Sequence, residues 1–141
     1  MHIKRLYYSF FLAVLAGVLA ITPALAVPPL PSSFYGIVKI NGNSVHDGTL
    51  VRALINGVPY SETHTLTYLT SSVYSLDIPG DDPSTNGIIE GGKDGDIVHF
   101  EIENFLIEQT SVWHSGTNVE VNLNTTLFFS YIPILRNSSG G

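Results

Sequence analysis

The residues able to do chemistry in this 141-residue chain are carboxylates, imidazoles and aromatic rings; cysteine is absent. Thiolate zinc sites, disulfide scaffolds and thiol nucleophiles are therefore excluded. Six carboxylates, Asp77, Asp81, Asp82, Glu90, Asp94 and Asp96, fall within twenty residues. Calcium takes about six to eight hard oxygen ligands, which a loop dense in carboxylates and free carbonyls can supply. Asp81, Asp82, Asp94 and Asp96 are the candidate calcium ligands. Their spacing is not that of an EF-hand loop, and Asp, Gly and Pro are equally what turns are made of. His46, His64, His99 and His114 are scattered over separate segments, without metal-site spacing, and read as solvated side chains. Trp113-His114-Ser115 is a contiguous trio, but neighbouring strand residues face opposite sides, so His114 and Ser115 should not bond. No Gly-x-Ser-x-Gly elbow occurs, and no catalytic residue is assigned. Trp113 with Tyr35, Tyr60, Tyr68 and Tyr74 could offer a stacking face for sugars, with Trp113, Tyr35 and Tyr68 as the candidate ligand contacts. The competing expectation for Trp113 is a place in the core between two sheets.

Those side chains must be positioned by strands. From Phe34 the chain alternates: Phe34, Gly36, Val38 and Ile40 on one side, Tyr35, Ile37 and Lys39 on the other. Asn41-Gly42 follows, a dipeptide suited to a tight hairpin turn. Thr49–Ile55 presents Val51, Ala53 and Ile55 together, and Asn56-Gly57 is again a turn signal. The Thr- and aromatic-rich stretch Tyr60–Leu69 suits one half-exposed ribbon. Val73–Ile78 places Tyr74, Leu76 and Ile78 on one side before Pro79-Gly80-Asp81-Asp82-Pro83 stops it. Asp96–Glu103 puts Val98, Phe100 and Ile102 inward. Phe105–Thr110, Val112–His114 and Thr117–Leu123 complete the set. Gly42, Gly57, Gly80 and Gly95 are expected at turn positions with positive φ. No window shows helical spacing after residue 26, so the expectation is an all-β fold. It is a two-sheet antiparallel sandwich of about seven to eight strands, with a closed barrel as the alternative.

The flanks read as an address and a tail. Lys4 and Arg5, the apolar run Phe10–Ile21, Pro23 and Ala24-Leu25-Ala26 have the three parts of a secretory signal peptide, a helix cleaved between Ala26 and Val27. The run is marginal for a membrane anchor, so membrane attachment is expected only through an uncleaved signal. Residues 27–141 keep four basic and twelve acidic residues, a net charge of −8. That balance argues against nucleic-acid binding, which needs Lys and Arg for phosphate contacts. Residues 27–33 form a Pro-rich spacer, and 34–123 are the sandwich domain. Residues 124–141 are a tail whose apolar stretch Leu127–Leu135 is either an edge strand or an exposed adhesive strand able to pair with another chain.

Read as a unit, Phe34-Tyr35-Gly36, Asn41-Gly42, Gly48-Thr49, Pro79-Gly80-Asp81-Asp82-Pro83, Glu90-Gly91-Gly92, Gly95-Asp96, Gln109-Thr110, Trp113 and Ser115-Gly116-Thr117 carry a resemblance. Residues 34–123 resemble the transthyretin-like (prealbumin-like) β-sandwich modules of exported bacterial and archaeal proteins, including carboxypeptidase regulatory-like domains. The tail segment Tyr131–Asn137 is similar to a short Pro-containing ending of Chloroflexota exported proteins. The resemblance implies an extracytoplasmic accessory or binding module and carries over no functional residue. The expected function is an exported, non-catalytic module acting at the cell surface or outside it on a surface protein or glycan. A carbohydrate-binding module, or a self-assembling subunit pairing through residues 127–135, are the alternatives.

Overall fold

The computed structural model describes residues 27–127; the expected leader over 1–26 and all but the first residue of the apolar stretch 127–135 lie outside them. Ten strands follow one another: β1 (Ser32–Ile40), β2 (Asn43–Ser44), β3 (Leu50–Ile55), β4 (Val58–His64), β5 (Leu66–Tyr68), β6 (Ser71–Ile78), β7 (Ile97–Ile102), β8 (Phe105–Val112), β9 (Asn118–Glu120) and β10 (Leu123–Thr125). They form two sheets. One has the order β10-β1-β6-β5, with β2 and β9 also paired to β1; the other has the order β4-β3-β7-β8. Pairing is antiparallel except where β9 and β10 return alongside β1 in parallel. No helix is present among the described residues.

The period-two patterns put their apolar halves between the sheets. Phe34, Val38, Tyr74, Leu76, Ile78 and Leu123 come from the first sheet, and Val51, Ala53, Ile55, Val98, Phe100, Ile102 and Ile107 from the second. Across the interface the Phe34 and Phe100 rings meet edge to face at 5.8 Å, and Tyr74 meets Phe100 at 6.2 Å. The expected sides of the strands carrying Val51, Tyr74 and Val98 are the buried ones. Both Asn-Gly dipeptides make tight turns with two successive positive φ angles, 53° and 79° at Asn41-Gly42 and 52° and 77° at Asn56-Gly57. This is the hairpin geometry whose twist matches the flanking strands.

Four local expectations are corrected. The ribbon Tyr60–Leu69 is two strands in different sheets, β4 and β5, and the chain crosses between layers at Thr65. Thr65 is fully buried; its Oγ1 donates to the His46 carbonyl (2.7 Å) and accepts from the Thr49 N–H (3.1 Å), so the polar crossover is satisfied within the fold. Phe105–Val112 is one strand rather than two. Thr117–Leu123 is broken into β9 and β10 at Val121-Asn122. There Val121 N–H reaches the Tyr35 carbonyl (2.7 Å) and the Asn122 side chain accepts from Ile37 N–H (3.0 Å). Gly80 does not take a positive φ: Pro29 Cβ would lie 2.6 Å from a Cβ placed there, so close approach is what requires glycine.

Residues 27–33 are tied to the sandwich. Pro29 packs on Gly80, and the Leu30 carbonyl accepts from Gly116 N–H and Ser115 Oγ, each at 3.3 Å. Ser32 Oγ, fully buried, bonds Thr117 Oγ1 at 2.8 Å.

Candidate functional site

The acidic segment lies at one end of the sandwich, beside Trp113. Its four candidate calcium ligands do not converge: among the described residues no group of three or more Asp, Glu, His or Cys side chains surrounds a common point. Each carboxylate has its own partner. Asp81, 9% exposed, faces Lys93 Nζ at 3.3 Å and accepts from Glu90 N–H at 3.1 Å. Asp82 accepts from Ser84 N–H at 2.8 Å, and that bond together with the Ser84 hydroxyl holds its carboxyl below the usual range. Asp96 accepts from Lys93 N–H at 2.8 Å, and Asp94 lies 2.6 Å from His114 Nδ1. These are turn-closing contacts, one ion pair to Lys93 and one hydrogen bond to a histidine ring, the use of Asp that loops make most often.

Trp113 follows β8 and closes this end of the core. It is 1% exposed, its indole N–H donates to the Ile78 carbonyl at 3.1 Å, and its backbone N–H reaches the Asp96 carbonyl at 2.8 Å. A Cβ at Gly92 would fall 2.5 Å from the indole ring, so Gly92 lies against it, while the neighbouring Gly91 lies against the Pro79 carbonyl. Trp113 therefore offers no free face for sugar stacking; the core placement describes it. A shallow cavity of about 300 Å³ opens beside it, lined by Pro29, Asp81, Pro83, Gly92, Lys93 and Ser115 among others.

Asp94, paired with His114, lines this cavity, and both side chains are largely exposed. Ser115 Oγ donates to the Leu30 carbonyl, and no serine or threonine hydroxyl bonds the His114 ring among the described residues. His46 and His64 are exposed, and His99 lies on the outer face of the second sheet opposite Leu54 and Thr110.

The other two ligand candidates are where a surface can be used. Tyr35 on β1 is 40% exposed and Tyr68 on β5 is 67% exposed, and both belong to the outer face of the six-stranded sheet. Register explains what lies between them. Ile37, Val73 and Leu66 stand in one cross-strand row, because Ile37 pairs with Val73 and Val73 with Leu66. Tyr35 pairs with Ser75 and Tyr68 with Ser71, two residues to either side of that row along β6. Strand spacing and rise then put the two tyrosines ~16 Å apart, on opposite corners of an aliphatic strip. Of the remaining aromatic candidates, Tyr74 is buried and Tyr60 is packed against the core. The aliphatic row was not among the sequence candidates. Alternation marked Ile37 as the outward side of its strand, but only register shows that it meets Val73 and Leu66.

The chain matches no family model, and neither curated proteins nor solved structures give a match.

Proposed function

We propose that the protein is an exported, non-catalytic β-sandwich module that binds a partner at the cell surface or outside the cell. Its working surface is the outer face of the six-stranded sheet. The observation that carries this reading is the Ile37–Val73–Leu66 row with Tyr35 and Tyr68 at its corners: Leu66 and both tyrosines are exposed and Ile37 and Val73 half-buried, on a sheet whose other face is packed. Aromatic and aliphatic side chains grouped on an exposed surface are the composition of a recognition patch, with tyrosine adding a polar tip to each ring. The likeness of residues 34–123 to transthyretin-like modules supports an accessory role, and the acidic balance favours a partner other than nucleic acid. The signal-like residues 1–26 support export.

The test compares the full chain, produced with its leader, with the double variant Tyr35→Ala/Tyr68→Ala. Protein and glycan fractions of the native envelope serve as the ligand source. The double variant should bind at least about tenfold more weakly, a loss of ~1.4 kcal/mol. Its melting temperature should be unchanged, since both rings lie outside the core. Equal retention by the two proteins overturns the reading. A glycan partner is the second reading, favoured by two uncovered tyrosines on one face; an array that stays blank with the intact chain removes it.

A further inference from the structure

We propose that Asn86-Gly87, at the tip of the loop between β6 and β7, is a self-modification site, where the asparagine loses its amide through a cyclic imide and becomes aspartate or isoaspartate. The inference does not depend on the partner-binding face assigned above.

The reaction needs an Asn or Asp side chain followed by a backbone nitrogen that is unhindered and free to move, which a glycine without a Cβ provides. The Gly87 nitrogen, deprotonated by hydroxide or a buffer base, attacks Asn86 Cγ. The Cγ–Nδ2 bond breaks, ammonia leaves and a succinimide ring closes. Water then opens the ring on either side. Cleavage of the new N–Cγ bond gives aspartate, and cleavage of the original peptide bond gives isoaspartate, with the main chain rerouted through the side chain. Overall a water enters and an ammonia departs, and nothing is oxidised or reduced.

The sequence holds five such pairs: Asn41-Gly42, Asp47-Gly48, Asn56-Gly57, Asn86-Gly87 and Asp94-Gly95. Their surroundings separate them. Gly48 N–H is engaged by the Thr65 carbonyl at 2.8 Å and Gly95 N–H by the Trp113 carbonyl at 3.0 Å, so neither nitrogen is free to attack. Asn41-Gly42 and Asn56-Gly57 close hairpins whose strands pair right up to the turn, Ile40 with Asn43 and Ile55 with Val58. Asn41 is held further by its N–H on the Thr125 carbonyl (2.9 Å) and by Leu127 N–H on its Oδ1 (3.0 Å). Both asparagines are fixed at positive φ. Ring closure there requires the turn to open against paired strands, which costs local unfolding free energy.

Asn86-Gly87 lacks these restraints. The base of its loop is tied, with Ser84 N–H on Asp82 Oδ1 (2.8 Å) and Glu90 N–H on Asp81 Oδ1 (3.1 Å). The tip between them, residues 86–89, belongs to no strand and is exposed throughout. Ile88 N–H lies 3.4 Å from the Thr85 carbonyl, longer than an ordinary N–H···O bond. Gly87 N–H makes no backbone hydrogen bond among the described residues. The product adds another carboxylate to a segment that already carries six, beside the exposed Ile88 and Ile89.

The full chain is aged in mildly alkaline buffer, folded and in urea, and sampled by peptide mass spectrometry with fragmentation that distinguishes isoaspartate. In the folded chain Asn86 should convert at least about tenfold faster than Asn41 or Asn56. Its rate should rise with pH, because base frees the attacking nitrogen. In urea the three asparagines should convert at similar rates, since the sequence pair is the same and only the fold separates them. Asn86→Gln should remove the early product and leave conversion at the other two unchanged. Three results overturn the proposal: Asn41 or Asn56 converting as fast as Asn86 in the folded chain, the same order of rates persisting in urea, or Asn86 reacting at least about tenfold more slowly folded than in urea.

Discussion

At the scale of single residues, close backbone approach decides more than side-chain chemistry. Gly36 lies on the inward side of β1, where an apolar side chain would be expected. A Cβ there would fall 2.4 Å from the Val121 carbonyl oxygen. The break between β9 and β10 thus rests directly on β1, and the same carbonyl accepts the Tyr74 hydroxyl at 2.8 Å. Gly36→Ala should therefore cost about 2 kcal/mol or more, as overpacking against unyielding atoms does. Thermal melting should fall by roughly 8 °C or more; an unchanged midpoint would show that the 121–122 segment yields freely. Tyr74 supplies a pH dependence. Burial pushes its hydroxyl well above the usual tyrosine range. Below ~10 the hydroxyl is protonated in both states; above it the unfolded chain releases the proton while the folded one keeps it. Stability should decline as pH rises past about 10. Tyr74→Phe should lower the melting temperature near neutrality, through the lost hydrogen bond, and flatten the alkaline decline. Parallel alkaline curves for the two proteins would remove Tyr74 as the cause.

At the scale of elements, the loop between β6 and β7 is built by its own contacts. Gly92 N–H reaches the Pro79 carbonyl at 2.9 Å, Asp81 N–H reaches the Gly92 carbonyl at 3.0 Å, and Gly80 and Gly92 form an isolated bridge. Lys93 answers Asp81, and His114 answers Asp94. With its carboxylates already engaged, the loop should gain nothing from calcium. Millimolar calcium is expected to leave the melting temperature of the full chain within about 1 °C. A rise of several degrees would mean that the aspartates rearrange around an ion, since ligand binding to the folded state alone raises its stability. Strand existence was legible from alternation wherever one face is buried, as in β3, β6 and β7. The ribbon over residues 60–69 was not. Thr and aromatic residues fit a pleated surface in either sheet, and the crossing depends on Thr65 meeting His46 and Thr49, contacts between segments far apart in the chain.

At the scale of the whole molecule, a cysteine-free domain must hold itself by buried apolar area and satisfied polar groups. Among the described residues no buried side-chain nitrogen or oxygen lacks a partner. That construction suits the export proposed for the chain. Expression with residues 1–26 in an exporting host should release a product whose first residue is Val27; a product beginning at Met1 and held in the membrane fraction would replace secretion with anchoring.

The amino-acid sequence by itself determined the all-β class, the two Asn-Gly hairpin turns and the buried faces of the alternating strands. Each of these is a local matter of side-chain period and backbone preference. Tertiary structure alone decided that Trp113 is core, that the four aspartates stay apart, and that Tyr35 and Tyr68 flank a continuous aliphatic row. Those outcomes depend on which strands become neighbours and in what register, and a one-residue slip in pairing would reverse every one of the faces concerned.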